Sequence, residues 1–142
     1  MSFQQVEQAL RALENYSLAP AVREQAAEYL SRLDEQDEIR QLVDALQNDA
    51  FGIRWEAAKM LAHIGRRAVP AVLEALIDPL KVGDLRLRHG AYQVLHENSD
   101  YGIRAEASKL LGALHGPSPD LDAMHAANEL WIKLRLGQKN HK

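Results

Sequence analysis

A nine-residue pattern that recurs along the chain restricts the possible folds more than any other feature of this sequence. Residues 51–61 read FGIRWEAAKML and residues 101–111 read YGIRAEASKLL. Both stretches contain an apolar residue, Arg, two variable residues, Ala, a small residue, two variable residues and Leu. Apolar residues at this spacing fall on one stripe of an α-helix. The repetition therefore predicts that one amphipathic helix is used, with the same packing contacts, at several places in the chain.

The pattern occurs four times, at residues 22–30, 53–61, 87–95 and 103–111. The third copy is the poorest, because Tyr92 stands where the other copies have Ala or Ser. An Asp precedes three of the copies, and its carboxylate can accept hydrogen bonds from the free amides of a first helical turn. We therefore predict N-caps at Asp49, Asp84 and Asp100. Pro20 suits the opening turn of the first copy.

Other amphipathic stretches precede these helices, so the repeated unit is a pair of helices joined by a turn. Such pairs stack into an α-solenoid, in which each unit packs on its neighbours. The sequence predicts a single all-α domain of about four pairs, at residues 3–33, 36–65, 68–97 and 100–136, followed by a basic tail at 137–142. In the last unit, we expect residues 100–115 to form the first helix and 120–136 the second.

The pattern resembles the HEAT repeat, especially the short bacterial form found in phycobilisome-lyase-type HEAT proteins, where an Asp is followed by apolar-Arg-x-x-Ala-Ala-x-x-Leu. The resemblance covers about residues 3–136. It implies a right-handed superhelix whose second helices line a concave surface. It also implies that the Arg of each copy, beginning with Arg23, is structural and lies near the preceding Asp. The Asp and Arg series comprises Asp49 and Arg54, Asp84 and Arg88, and Asp100 and Arg104.

Side chains opposite the buried stripe form the predicted binding surface for a partner protein. They are Trp55, Lys59, Arg66, His89, Gln93 and His96. Trp55 lies on the polar side of its helix, where a Trp suits an interface anchor, although packing between neighbouring repeats is an equal alternative. Trp131 falls beside apolar positions of its own helix, and we predict that it belongs to the core or caps the end of the solenoid.

Residues with catalytic or metal-binding potential do not form a recognisable set. His89 and His96 lie roughly 10.5 Å apart along a helix axis, which is too far for one metal ion. The HEAT enzyme deoxyhypusine hydroxylase binds iron through repeated His-Glu pairs, and this chain has only His96 followed by Glu97. Cys, a Gly-rich phosphate loop and a GxSxG motif are absent from the sequence. We therefore predict no enzyme activity, metal or cofactor.

Charge and hydropathy restrict the class of partner. The formal net charge is −3, which favours neither nucleic acid nor an anionic membrane, and the sequence shows no secretory signal or membrane span. We expect a cytoplasmic, non-enzymatic adaptor or interaction module that binds another protein. The alternative is an auxiliary or lyase-like subunit of a bilin lyase-type system, holding a protein substrate or a chromophore. Self-association through an exposed end of the solenoid also stays open.

Overall fold

The helices of the chain follow the predicted repeat closely. A computed structural model describes residues 5–33, 36–117 and 119–140. Its α-helices are α1 (Val6–Glu14), α2 (Pro20–Ser31), α3 (Gln36–Asp44), α4 (Phe51–Ile64), α5 (Val69–Ile77), α6 (Leu85–His96), α7 (Tyr101–Glu106), α8 (Ser108–Leu114) and α9 (Pro119–Asn140). Short 3-10 turns occupy Ala45–Gln47, Gly65–Ala68 and Pro79–Lys81. Parts of the predicted first unit and basic tail, at residues 3–4 and 141–142, lie outside the described residues.

The helices pack in two layers. The pairs α1 with α2, α3 with α4 and α5 with α6 are each in contact. The first helices α1, α3 and α5 contact one another in order, and the second helices α2, α4 and α6 do the same. This stacking confirms the predicted all-α solenoid.

The last unit runs in the reverse order. Helices α7 and α8 pack against α6 in the second-helix layer, whereas α9 packs against α5 and α8. Arg104 contacts the carbonyl of His96, and His115 contacts Tyr92. The two segments therefore run back alongside α6. The expectation that residues 100–115 form a first helix is wrong, because α7 and α8 pack on α6 in the second-helix layer and α9 takes the place beside α5 in the first-helix layer.

One continuous core holds the layers together. Its buried residues extend from Val6 in α1 to Leu130 in α9. Within α4, Ile53, Ala57 and Leu61 are buried as the stripe predicts. Trp131 is partly buried against this core, and the Arg135 guanidinium lies 4.6 Å from the centroid of its ring.

Two of the three predicted Asp caps are present. Asp84 accepts a hydrogen bond from the amide of Leu87 at 2.9 Å, and Asp100 accepts one from the amide of Gly102 at 3.0 Å. The prediction for Asp49 is wrong, because Ala50 occupies the N-cap position of α4. Asp49 lies five residues before Arg54, whereas Asp84 and Asp100 lie four residues before Arg88 and Arg104, so it is one residue too early to cap α4. Pro20 begins α2, as predicted.

The repeated Arg residues bind backbone carbonyls rather than the preceding carboxylates. Arg23 donates to the carbonyl of Leu13 at 3.0 Å, and Arg104 donates to that of His96 at 2.7 Å. Arg54 donates to the carbonyl of Asn48 at 2.7 Å. Side chains point towards the N-terminus of their own helix, where the last carbonyls of the preceding helix lack intrahelical partners.

The carboxylates of the series instead form contacts between units, which corrects the expected Asp and Arg pairing. Asp49 pairs with Arg86 at 2.6 Å, and Asp84 accepts a hydrogen bond from the Gln47 side chain at 2.7 Å. Arg88, the exception among the repeated Arg residues, forms an ion pair with Asp120 at the start of α9. These contacts fix adjacent units to one another.

Candidate functional site

A groove crosses the second-helix layer where α2, α4 and α6 lie side by side. Its volume is about 1140 Å³, and most of its accessible lining is apolar. The lining residues are Ala27, Glu28 and Ser31 of α2, Trp55, Lys59, Met60, Ala62 and His63 of α4, and Tyr92, Gln93, His96, Glu97 and Ser99 of α6 and the turn after it. The surface opposite the buried stripes therefore forms a single concave feature.

The structure brings four of the predicted binding residues to this groove, namely Trp55, Lys59, Gln93 and His96. His89 is exposed on α6 but lies outside the lining. Arg66 also lies outside it, because its guanidinium binds Asp100 at 2.9 Å and Glu106 at 3.0 Å. These two ion pairs connect the turn after α4 to α7, so the Arg66 guanidinium is already neutralised within the chain.

Trp55 occupies the middle helix of the groove and is 45% exposed. Its ring stacks on Phe51 one turn earlier, with centroids 6.3 Å apart. The Lys59 ammonium lies 5.9 Å from the centroid of the Trp55 ring. These contacts hold the indole in place while leaving nearly half of its surface open to the groove.

The residue after Trp55 carries a buried carboxylate. Glu56 is 4% exposed, and its carboxylate lies 3.2 Å from the Lys59 ammonium. A buried charge requires a partner of opposite sign. Lys59 therefore neutralises Glu56 and is positioned by it beside the Trp55 ring.

Tyr92 is a functional candidate that the helix pattern alone did not reveal. It lines the groove and stacks on His96, with ring centroids 5.4 Å apart. The ring of His115 packs edge-on against the Tyr92 ring, with centroids 4.2 Å apart. A signal is present in the sequence, because a large aromatic residue at a position kept small in the other copies needs open space beside the helix. Judged by the repeat pattern alone, Tyr92 is a mismatch that makes the third copy the poorest, and nothing in the pattern marks it as a binding residue.

Displaced pKa values occur where repeats join. Burial disfavours the charged form of Asp84, but hydrogen bonds from Gln47 and from backbone amides outweigh it, so its pKa is lowered. The Arg66 guanidinium lowers the pKa of Asp100. Burial, with a hydrogen bond to Glu38, raises the pKa of Tyr29. All three groups lie outside the groove lining, so these shifts reflect structural contacts between elements.

Metal clusters and membrane spans are both missing from the part of the chain that the structure describes. Among those residues, no three His, Asp or Glu side chains come together in a way that could hold a metal ion. None of the helices described combines the length and apolar character that a membrane span requires.

Comparison with known families agrees with the architecture. The family model described as HEAT repeats matches residues 6–96. The chain belongs to the HEAT-repeat family. The match covers the three regular pairs of this HEAT-repeat protein, α1 to α6, and leaves out the reversed unit. It does not separate the short bacterial form from other HEAT repeats, so that resemblance stays a prediction. No curated protein and no solved structure showed a significant match to the chain.

Proposed function

We propose that this HEAT-repeat protein is a non-enzymatic adaptor that binds a segment of a partner protein in the groove of α2, α4 and α6. HEAT repeats commonly serve as scaffolds for protein interactions. The observation that carries the proposal is Trp55, which stands half exposed in a largely apolar groove. A large aromatic side chain in such a position is typical of the residues that dominate binding energy at interfaces.

The charged side chains of the groove support binding rather than catalysis. Its Glu and Lys side chains each have a partner close to them on the same helix or the adjoining turn: Glu28 has Arg32, Lys59 has Glu56, and Glu97 has His96. A general base or nucleophile must instead be directed at a reacting group. The carboxylates of Glu28 and Glu97 also disfavour a phosphate backbone as the bound group.

Affinity capture from the native lysate tests the proposal. The wild type is compared with Trp55→Ala and with the control Tyr101→Ala, which removes an aromatic side chain that is 86% exposed outside the groove. An interface anchor contributes about 2 kcal/mol, so retention of the partner should fall roughly 30-fold with Trp55→Ala. Tyr101→Ala should retain the partner.

A further variant, His89→Ala, separates the groove from the rest of the second-helix surface. His89 is exposed but outside the groove lining, so its removal should leave retention unchanged. A partner lost with His89→Ala or Tyr101→Ala, and kept with Trp55→Ala, would contradict the proposed site.

The size of the groove favours a second candidate, the lyase-like role in a bilin lyase-type system. Its volume of about 1140 Å³ is no smaller than the roughly 300–1,000 Å³ of small-molecule pockets. In that role, the groove would hold a chromophore or the protein that receives it. A visible absorption band on the purified protein, or transfer of bilin to an acceptor protein, would support this candidate. Absence of both, with a competent acceptor supplied, would contradict it.

A further inference from the structure

The floor of the groove consists of helices, and this restricts the conformation of whatever binds there. The backbone groups of α2, α4 and α6 are bonded within each helix. An extended peptide lying across them would find no strand edge for its own amide and carbonyl groups, and buried backbone groups without partners are costly. A helical segment satisfies those groups internally. The floor therefore favours a helical occupant.

The spacing of the groove walls suits one helix. Packed helices have axes roughly 8–10 Å apart, and α4 lies between α2 and α6. The axes of α2 and α6 are therefore separated by at most about 16–20 Å. A helix with its side chains is about 10–12 Å across. It can lie over α4 with its apolar side on Trp55, Met60 and Tyr92, which line this region.

Carboxylates stand on both walls of the groove. The side chain of Glu28 on α2 is 57% exposed, and that of Glu97 after α6 is 62% exposed. Lys59, the cation between them, is neutralised by buried Glu56. Glu28 pairs with Arg32, just after the end of α2, and Glu97 lies 3.3 Å from the ring of its neighbour His96. Both contacts are exposed and local, so a cation of a partner can replace either one at little cost. The groove therefore offers negative charge on either side of an apolar floor.

From these observations we propose that the groove binds an amphipathic helix of another protein, whose apolar side is flanked by Lys or Arg. The apolar side packs on Trp55 and Tyr92, and the flanking cations meet Glu28 and Glu97. This inference rests on the proposed function and names the chemistry of the partner. The proposed function requires only that the partner binds in the groove, whereas this inference also requires that binding depends on the charge of Glu28 and Glu97.

Selection from a displayed peptide library tests this chemistry while the partner is still unidentified. The full chain is immobilised, and the library presents random segments that vary in charge, apolar pattern and Pro content. Peptides enriched by the wild type should carry apolar residues at helical spacing. We expect Lys and Arg to exceed Asp and Glu at the flanking positions roughly tenfold, as two partly exposed ion pairs allow.

Reversing the charge of the walls supplies the decisive comparison. The double variant Glu28→Lys, Glu97→Lys should select peptides with Asp or Glu at the same flanks. Both side chains are exposed, so the fold should persist, which circular dichroism checks. The matched control Asp37→Lys, Glu129→Lys makes the same change in net charge outside the groove. It should select the same basic peptides as the wild type.

The outcomes separate this inference from the proposed function. Peptides that require Trp55 but show acidic or neutral flanks, or an extended Pro-rich pattern, overturn the basic amphipathic helix and leave the groove as the binding site. An equal reversal of preference by the control variant assigns the effect to net charge and also overturns the inference. Peptides whose binding survives Trp55→Ala, or no enrichment at all, count against both proposals.

Discussion

The Asp residues that precede α4 and α6 have different roles, although the two units look alike in sequence. Asp84 caps α6 through the amide of Leu87 and also accepts the Gln47 side chain of the preceding unit. Asp49 stands one residue further from its helix, because Ala50 occupies the N-cap position of α4, and the Asp49 carboxylate is turned outward to Arg86. One residue type therefore serves as a cap in one unit and as a surface ion pair in another.

Replacement of these two residues by Ala should separate the two roles. Asp84→Ala removes an N-cap and the bond from Gln47, and should lower the free energy of unfolding by about 1–2 kcal/mol. Asp49→Ala is the matched control and should have a much smaller effect, because it removes only an exposed ion pair. Urea unfolding followed by circular dichroism measures both changes. Equal losses for the two variants would show that Asp84 does not act as the cap.

The residue pattern predicted the positions of Asp84 and Asp100 correctly, because a cap lies at a fixed distance from the helix that it begins. It failed at Asp49, which lies five residues before Arg54 where the other two lie four residues before their Arg, so Ala50 occupies the cap position. It also assigned the wrong partners to the Arg series. The bonds of Arg23, Arg54 and Arg104 to carbonyls depend on where the preceding helix or turn ends in space, and the spacing within one helix does not contain that information.

At the scale of elements, the close approach of α6 to the preceding unit depends on Gly90. A Cβ atom at this position would lie 2.8 Å from Cδ2 of Leu46 and 3.2 Å from its Cβ. Leu46 belongs to the Ala45–Gln47 turn and is completely buried, so it has little room to move. The third copy of the pattern thus contains a Gly because α6 packs directly on this turn.

Two Gly-to-Ala substitutions test that contact. Gly90→Ala should lower the free energy of unfolding by about 1 kcal/mol, because overpacking exceeds the gain in helix propensity. Gly112→Ala in α8, where an added Cβ has no neighbour within 4 Å, should raise it by about 0.5–1 kcal/mol. Denaturant unfolding of both variants gives the comparison. Stabilisation of similar size by both substitutions would contradict the close packing of α6 on Leu46.

The sequence predicted the existence and approximate bounds of the regular helix pairs, but it did not predict the layer that α7 and α8 occupy. Apolar spacing specifies which side of a helix is buried, and Ile103, Ala107 and Leu110 are buried accordingly. It does not specify chain direction. That direction is seen in the contacts of α9, which is long enough to cover both α5 and α8 and so occupies the first-helix layer in place of α7 and α8.

At the scale of the whole molecule, the groove forms only when three units are stacked. Its lining residues were therefore only partly predictable from single helices. Trp55, Lys59, Gln93 and His96 were found because they lie opposite the buried stripes. Arg66 was misassigned because its partners Asp100 and Glu106 belong to the reversed unit. Tyr92 was missed because its use depends on the space beside α6. The apolar stripe of a single helix predicts which surface is exposed. The packing of the helices in the two layers determines which exposed residues line the groove together.

The continuous core predicts that the reversed last unit unfolds together with the regular repeats. Buried residues extend without a break from Val6 to Leu130, and α9 packs on α5. Trp55 reports on the middle of the solenoid and Trp131 on its end, so Trp131→Phe and Trp55→Phe each leave one fluorescent probe. The two probes should give coincident urea transitions. Adding Leu130→Ala should lower both midpoints together, by about 2–5 kcal/mol of unfolding free energy. An earlier transition at Trp131 alone would show that the last unit is a separate folding unit, as stepwise unfolding of a repeat array allows.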